Sequence, residues 1–287
     1  MIHDTLIGAE QLRTLLATGT KVRLFDCSND LGQPSAGRAA YLSGHIPGAT
    51  HVDLERDLSA HHPTPTASGG RHPLPTREVF AQRLRDWGLN PGDQVVVYDR
   101  QGVTYCGRLW WMLKWCGHNP VAVLDGGWNA WLAAQGAIST TTPAPAAPGG
   151  FELKDPLAGL VDTQMVAQRL GKPEQTVIDA RAAARFRGDV EPLDPVAGHI
   201  PGALNHPFAD NTSADGRFLP PDTLRAAWAQ RLAGRSPHTV VHHCGSGVTA
   251  VPNILAMCVA GYGMTTLYAG SWSEWCRTPG APCARGA

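Results

Sequence analysis

The chain has 287 residues, 43% of them hydrophobic, and its 24 Lys and Arg are balanced by 24 Asp and Glu. That length suits roughly two domains of 100 to 200 residues each, and a formal net charge of zero leaves no broad field to recruit nucleic acid or an anionic membrane. Small, locally recognised ligands are the expected partners.

Seven cysteines, odd in number and without CxxC spacing, do not read as a disulfide framework in a chain this long. Reduced thiols in a reducing compartment are expected instead. The opening stretch "MIHDTLIGAEQLRTLL" carries Asp4 and Glu10 and has no apolar core or small-residue cleavage site, so it does not read as a signal peptide. No run of about 18 apolar residues argues for a membrane span, and a cytoplasmic location is expected.

Taken in chain order, the sequence repeats itself once. "LFDCS" (24–28) returns as "VIDAR" (177–181), and "SGHIPGAT" (43–50) returns as "AGHIPGAL" (197–204). "VVVYDRQGVTY" (95–105) answers to "TVVHHCGSGVTA" (239–250), and "LDGGWNAW" (124–131) to "LYAGSWSEW" (267–275). Four matches in one order, offset by about 145 to 154 residues, mean two tandem copies of one fold.

Short β-branched runs at 95–98 and 240–242 predict strands, and the amphipathic "TREVFAQRLRDWG" and "PDTLRAAWAQRLAG" predict helices. Strands alternating with helices give each copy a mainly parallel, doubly wound α/β sheet. The expected organisation is a first domain over 1–138, a linker over 139–158 that holds the Thr-, Pro- and Ala-rich "STTTPAPAAPGGF", and a second domain over 159–287.

Sites in such sheets lie at the carboxyl ends of strands, and Cys244 stands there, between a predicted strand and a helix that accommodates Pro252 in its first turn. Gly245 and Gly247 allow a tight loop, so the backbone N–H groups of residues 245 to 249, including those of Val248 and Thr249, are expected to converge on the sulfur and favour the thiolate. Cys27, Cys106, Cys116, Cys258, Cys276 and Cys283 have no such setting. The first copy is an internal control. It has Asp99 where the second has Cys244, while Gly102, Val103 and Thr104 match Gly247, Val248 and Thr249.

Through its paired Asp motifs, doubled "GHIPGA", cysteine loop and trailing Gly-Trp segments, the chain resembles the tandem-domain rhodanese family of sulfurtransferases over essentially its whole length. The loop "CGSGVTA" is similar to that of the 3-mercaptopyruvate sulfurtransferase branch, whereas thiosulfate-preferring members usually carry basic residues directly after the cysteine. The resemblance implies a Cys244 persulfide, taken from a small-molecule sulfur donor and passed to a thiol, cyanide or a thioredoxin-like acceptor, with no cofactor and a catalytically silent first domain.

It also implies roles for particular residues. Arg185 in "DARAAARF" binds the donor's carboxylate or sulfonate, and Arg71 in "GGRHPLPT" faces the donor's carboxylate. His72 joins Ser246 and an upstream acid in a relay that protonates the leaving enolate. "HVDLERD" offers Asp53, Glu55 and Asp57 for that acid, of which Glu55 aligns best. Arg181 pairs with Asp179 or another acid to hold the domain together. In one respect the chain departs from the branch: the second arginine expected after Arg185 is missing, and Leu193 and Asp194 occupy that stretch, leaving Arg187 or Arg71 to compensate.

Three rival readings are open to test. A cysteine phosphatase on this scaffold needs C-x5-R, and the residue at that arginine's end of the loop is Ala250. Zinc ligation by His242 and His243 is opposed by the alternation of strand side chains; one of the two histidines more readily tunes the cysteine environment. A persulfide carrier without turnover has no use for Arg71, His72 and Arg185 around a small-molecule cleft.

Overall fold

In the computed structural model the described residues are 2–286. The chain forms two compact units. The first comprises Met1–Pro65, Pro75–Leu157 and Ser213–Phe218, and the second comprises Thr66–Leu74, Ala158–Thr212 and Leu219–Ala287.

The first unit is built on strands β1 (Leu6–Ile7), β2 (Val22–Asp26), β3 (Thr50–His51), β4 (Gln94–Tyr98) and β5 (Val121–Leu124), in the spatial order β1-β5-β4-β2-β3. Every pairing between these strands is parallel, so each return requires a crossover, made by helices α1 (Ala9–Ala17), α2 (Ala36–Ser43), α3 (Arg77–Asp86) and α4 (Cys106–Trp115). Helix α5 (Gly127–Ala133) follows β5. All five residues of β4, QVVVY, are buried, the continuous apolar pattern of a strand covered on both faces. The predicted helix in "TREVFAQRLRDWG" is α3, capped by the Thr76 hydroxyl, which accepts the Val79 N–H.

The second unit repeats the scheme. Its strands β6 (Leu160–Val161), β7 (Thr176–Asp179), β8 (Leu204–Asn205), β9 (Val240–His243) and β10 (Thr266–Tyr268) lie in the order β6-β10-β9-β7-β8, again all parallel. Helices α6 (Thr163–Gln168), α7 (Ala183–Arg187), α8 (Pro221–Leu232), α9 (Val251–Val259) and α10 (Ser271–Trp275) accompany them. Even the registers correspond: Asp26 is paired with Tyr98 across β2 and β4, and Asp179 with His243 across β7 and β9.

In each unit the central strand therefore ends one residue before the pair already matched in sequence, Asp99 after β4 and Cys244 after β9. Residues 142–157, within the stretch expected as a linker, contain no helix or strand; Phe151 in this segment is buried beside His118 in the first unit. No helix among the described residues is long and apolar enough to cross a membrane.

Candidate active site

Cys244 is 1% exposed and held from both sides. Its N–H donates to Ser271 Oγ at 3.1 Å, and the Ser271 hydroxyl in turn donates to the Tyr268 carbonyl at 3.0 Å. Its carbonyl accepts from Trp272 N at 3.0 Å, and the Gly245 carbonyl accepts from Ser273 N at 2.9 Å. The start of α10 thus fixes the loop that leaves β9. Gly247 has a φ of +74°, and a Cβ there would lie 2.3 Å from the Ala269 carbonyl oxygen, so this turn requires glycine. Pro252 sits in the first turn of α9, where no N–H is needed.

The corresponding loop in the first unit shows what this backbone binds. The Asp99 carboxylate accepts from the backbone N–H groups of Gln101 at 3.0 Å, Tyr105 at 2.8 Å and Cys106 at 2.9 Å. By the repeat, those three amides match Ser246, Ala250 and Val251. Burial raises the Asp99 pKa and the three amides work against that rise, which is how an N–H cluster favours a negative charge.

Segment 66–74 of the second unit supplies the side chains that face the cysteine loop. His72 is 1% exposed, and its Nδ1 lies 2.7 Å from Ser246 Oγ, itself 7% exposed. The neighbouring Arg71 N–H donates to Ser273 Oγ at 3.0 Å. Gly70 is required here as well: its φ is +85° and a Cβ on it would lie 2.5 Å from the Gly270 carbonyl oxygen, while Gly69 packs against the Glu274 carboxylate. The segment is thereby seated on α10, the same helix that braces Cys244.

Three guanidiniums gather on one carboxylate beside that loop. Asp194, whose side chain has no exposed surface, accepts from Arg71 Nη1 at 3.0 Å and Arg277 Nη1 at 2.9 Å, and lies 3.6 Å from Arg185 Nη2. Arg185 also donates to Glu191 at 2.7 Å. A Cβ built on Gly245 would lie 3.3 Å from Arg71 Nη2 and 3.5 Å from Arg185 Nη1, so both cations overhang the residue that follows the cysteine. Arg181 lies deeper. It chelates Asp179, with contacts of 2.6 to 3.1 Å, reaches Glu191 at 3.2 Å and stacks 4.8 Å over the Trp272 ring. Burial opposes the Arg181 charge, but Asp179, Glu191 and Cys244 together hold its pKa above the ordinary value.

The rhodanese-like domain model matches the chain twice, over residues 8–134 and 162–278. The chain belongs to the rhodanese-like domain family. It is 45% identical over 287 residues, covering 100% of both chains, to a Pseudomonas aeruginosa protein named "Probable 3-mercaptopyruvate sulfurtransferase". It is 33% identical to the thiosulfate sulfurtransferase of Mus musculus, covering 96% of this chain and 95% of that one. Among solved structures, SseA from Escherichia coli, described as a 3-mercaptopyruvate sulfotransferase with the rhodanese fold, superposes with a TM-score of 0.79 at 33% identity, over 95% of this chain and 100% of that one. The relatives are thus named for two different donors.

In the second rhodanese-like copy, Cys244, Gly245, Ser246, Gly247, Val248 and Thr249 form one loop, with His72, Arg71 and Arg185 set against it. Glu55 belongs to the first copy, where its carboxylate accepts from His61 Nε2 at 3.1 Å. The alternative acids are engaged as well: Asp57 takes both Arg56 Nε and Nη2, and Asp53 accepts the N–H groups of Glu55 and Arg56. Arg187 does not compensate for a missing cation, because it pairs with Asp189 at 2.7 Å on the surface. Arg277 joins the cluster in its place. Sequence reasoning missed it, although it stands two residues after the repeated "SWSEW".

His242 and His243 have separate partners. His242 Nε2 lies 3.3 Å from Met257 Sδ with the ring edge-on to Trp228, and burial lowers its pKa to about 3. His243 Nδ1 lies 3.2 Å from the Cys244 carbonyl; burial lowers its pKa too, and Asp179, 3.6 Å away, does not reverse the shift. Two neutral rings therefore stand beneath the loop. Among the described residues, no three His, Cys, Asp or Glu side chains are grouped to hold a metal.

Proposed function

We propose that the protein is a sulfurtransferase that passes sulfur through a persulfide on Cys244, with 3-mercaptopyruvate as the favoured donor. The observation that carries this reading is the Asp99 carboxylate held by three backbone amides. The same loop in the second copy carries a cysteine, so the scaffold that cradles a carboxylate in one copy offers an anionic sulfur the same amides in the other.

In the first half-reaction the Cys244 thiolate attacks the donor's thiol sulfur. A sulfur–sulfur bond forms, the carbon–sulfur bond breaks, and its electron pair passes to the organic fragment as the enolate of pyruvate. The enolate takes one proton to become pyruvate. Ser246, hydrogen-bonded to His72 at 2.7 Å, is the proton donor, and His72 re-supplies the serine. Glu55 is the acid assigned to that relay. Arg71 and Arg185, beside Gly245, hold the donor's single carboxylate and set its sulfur over the loop.

In the second half-reaction a thiolate or cyanide attacks the outer sulfur, and the Cys244 thiolate leaves. The persulfide first gives up the donor thiol's proton to solvent, so the thiolate and the loaded persulfide are both anionic and one cradle of amides serves both. The loop carries Gly245 and Ser246 where cations would meet the sulfonate of thiosulfate. Parallel steady-state assays with the two donors test the assignment: higher kcat/KM on thiosulfate would overturn the donor, and no sulfur on Cys244 with either would overturn the enzyme.

A further inference from the structure

We propose that Asp194 sets the charge selectivity of the donor site, tuning it towards singly charged anions. The inference rests on the sulfurtransferase reading and concerns a residue that, being fully buried, does not itself touch substrate. It is a specificity-determining residue that acts through the arginines.

Arg71, Arg185 and Arg277 would together present three positive charges around the loop. Asp194 lies under all three, at 3.0, 3.6 and 2.9 Å, and takes away one unit of that charge from a position no ligand reaches. Glu191 and Asp179 similarly engage Arg185 and Arg181. Glu274, packed against Gly69 and Gly270, is a further carboxylate on the wall of the cleft beside Arg71 and is present alike in every variant compared below. The open side of the cluster is a cleft of about 550 Å³ whose wall includes Gly70, Arg71, Leu193 and Arg277.

Leu193, half exposed on that wall, adds no charge. A monoanion and a dianion of similar size therefore meet the same guanidiniums, but the dianion feels each unit of site charge twice. At the separations of such a site, one added unit of positive charge is equivalent to on the order of tenfold in affinity per ligand charge. Removing the Asp194 charge should favour the dianion by that extra factor.

The test compares wild type, Asp194→Asn and Arg277→Gln in kcat/KM for thiosulfate and for 3-mercaptopyruvate. It adds equilibrium binding of two unreactive anions, sulfate and acetate, followed by calorimetry. Asp194→Asn is expected to raise the ratio of thiosulfate to mercaptopyruvate efficiency, and of sulfate to acetate affinity, by on the order of tenfold. Arg277→Gln removes a positive charge from a half-exposed side chain and is expected to move both ratios the opposite way. A purely structural role for Asp194 would weaken both anions of a pair alike.

Anion ratios unchanged within about twofold in folded Asp194→Asn would overturn the proposal. So would a shift in the same direction for both variants. If Asp194→Asn does not fold, Arg277→Gln decides alone: a severalfold fall in the ratios supports the proposal and no fall ends it. Failure of wild type to load sulfur from any donor would sink the sulfurtransferase reading instead, and the anion-binding ratios would still judge this one.

Discussion

Ser246 Oγ and His72 Nδ1 lie 2.7 Å apart, 174 residues apart in sequence, and both side chains are closed off from solvent. A buried hydroxyl hydrogen-bonded to an imidazole has the geometry to pass a proton, the role proposed for this pair. Mercaptopyruvate needs a proton on its leaving enolate, whereas sulfite leaves thiosulfate without one. Ser246→Ala and His72→Asn are therefore expected to lower kcat for mercaptopyruvate by roughly 100-fold, and the residual thiosulfate activity much less. Equal losses with both donors would remove the relay and leave His72 with a packing role.

Cys244→Ser should abolish transfer and keep the fold, because the serine hydroxyl is nearly isosteric and a poor nucleophile at neutral pH. Intact mass of wild type treated with donor should rise by one sulfur, and peptide mapping should place it on Cys244. Sulfur found on Cys27 or Cys106 instead would be decisive against the site. Burial and the nearby Asp99 charge push both of those thiols well above their ordinary pKa, which disfavours their thiolates.

Replacing Arg185 with Ala removes one of the two cations beside Gly245 and leaves Glu191 with the Arg181 guanidinium and the backbone N–H groups of Leu193 and Asp194. A charge-assisted contact contributes about 1.5 to 3 kcal/mol, so KM for mercaptopyruvate should rise by about tenfold or more. Thermal unfolding measured alongside separates this from general damage. Unchanged KM with a lowered melting temperature would assign Arg185 to structure.

The buried histidines make stability depend on pH. His242 has its folded pKa lowered to about 3 and His118 to about 4, both by burial, whereas an unfolded histidine titrates near 6.5. Between those limits the unfolded chain binds more protons, so stability is full above about 6.5 and falls as pH drops towards the folded values. The contribution of His242 across the whole window is on the order of 5 kcal/mol. Urea unfolding at several pH values should show His242→Phe losing less stability than wild type between neutral pH and pH 5. Parallel curves for the two proteins would contradict the assignment.

The repeat, the strand ends and the cysteine loop were legible because each leaves a local mark: a β-branched run, paired glycines, or a series of matches in one order. Cys244, Asp99 and helix α9 behind Pro252 stand where that reading placed them. The ion cluster was not legible. Arg71 meets Asp194 across 123 residues and Arg277 meets it across 83, and no periodicity or spacing encodes a partner chosen by folded loops. Leu193 was read as the loss of a cation because only the neighbouring sequence was in view. The side chain that joins the cluster, Arg277, stands two residues past the end of α10, a segment recognised by its tryptophans alone. Ser271 and Ser273 were missed for a similar reason, since a serine bonding to a distant backbone looks like any other serine.

The Asp99 carboxylate also bears on why the two copies have different capacities for ligands. In the first copy the amides are held by the protein's own carboxylate, pre-positioned by its loop. A free anion would have to displace that side chain to reach them. The second loop carries Cys244 at that position, and loading lengthens its side chain by one sulfur atom. Ligand-dependent stabilisation should therefore be confined to the second copy, and hydrogen exchange at residues 245–251 should slow on sulfur loading while residues 100–106 keep the same rates throughout.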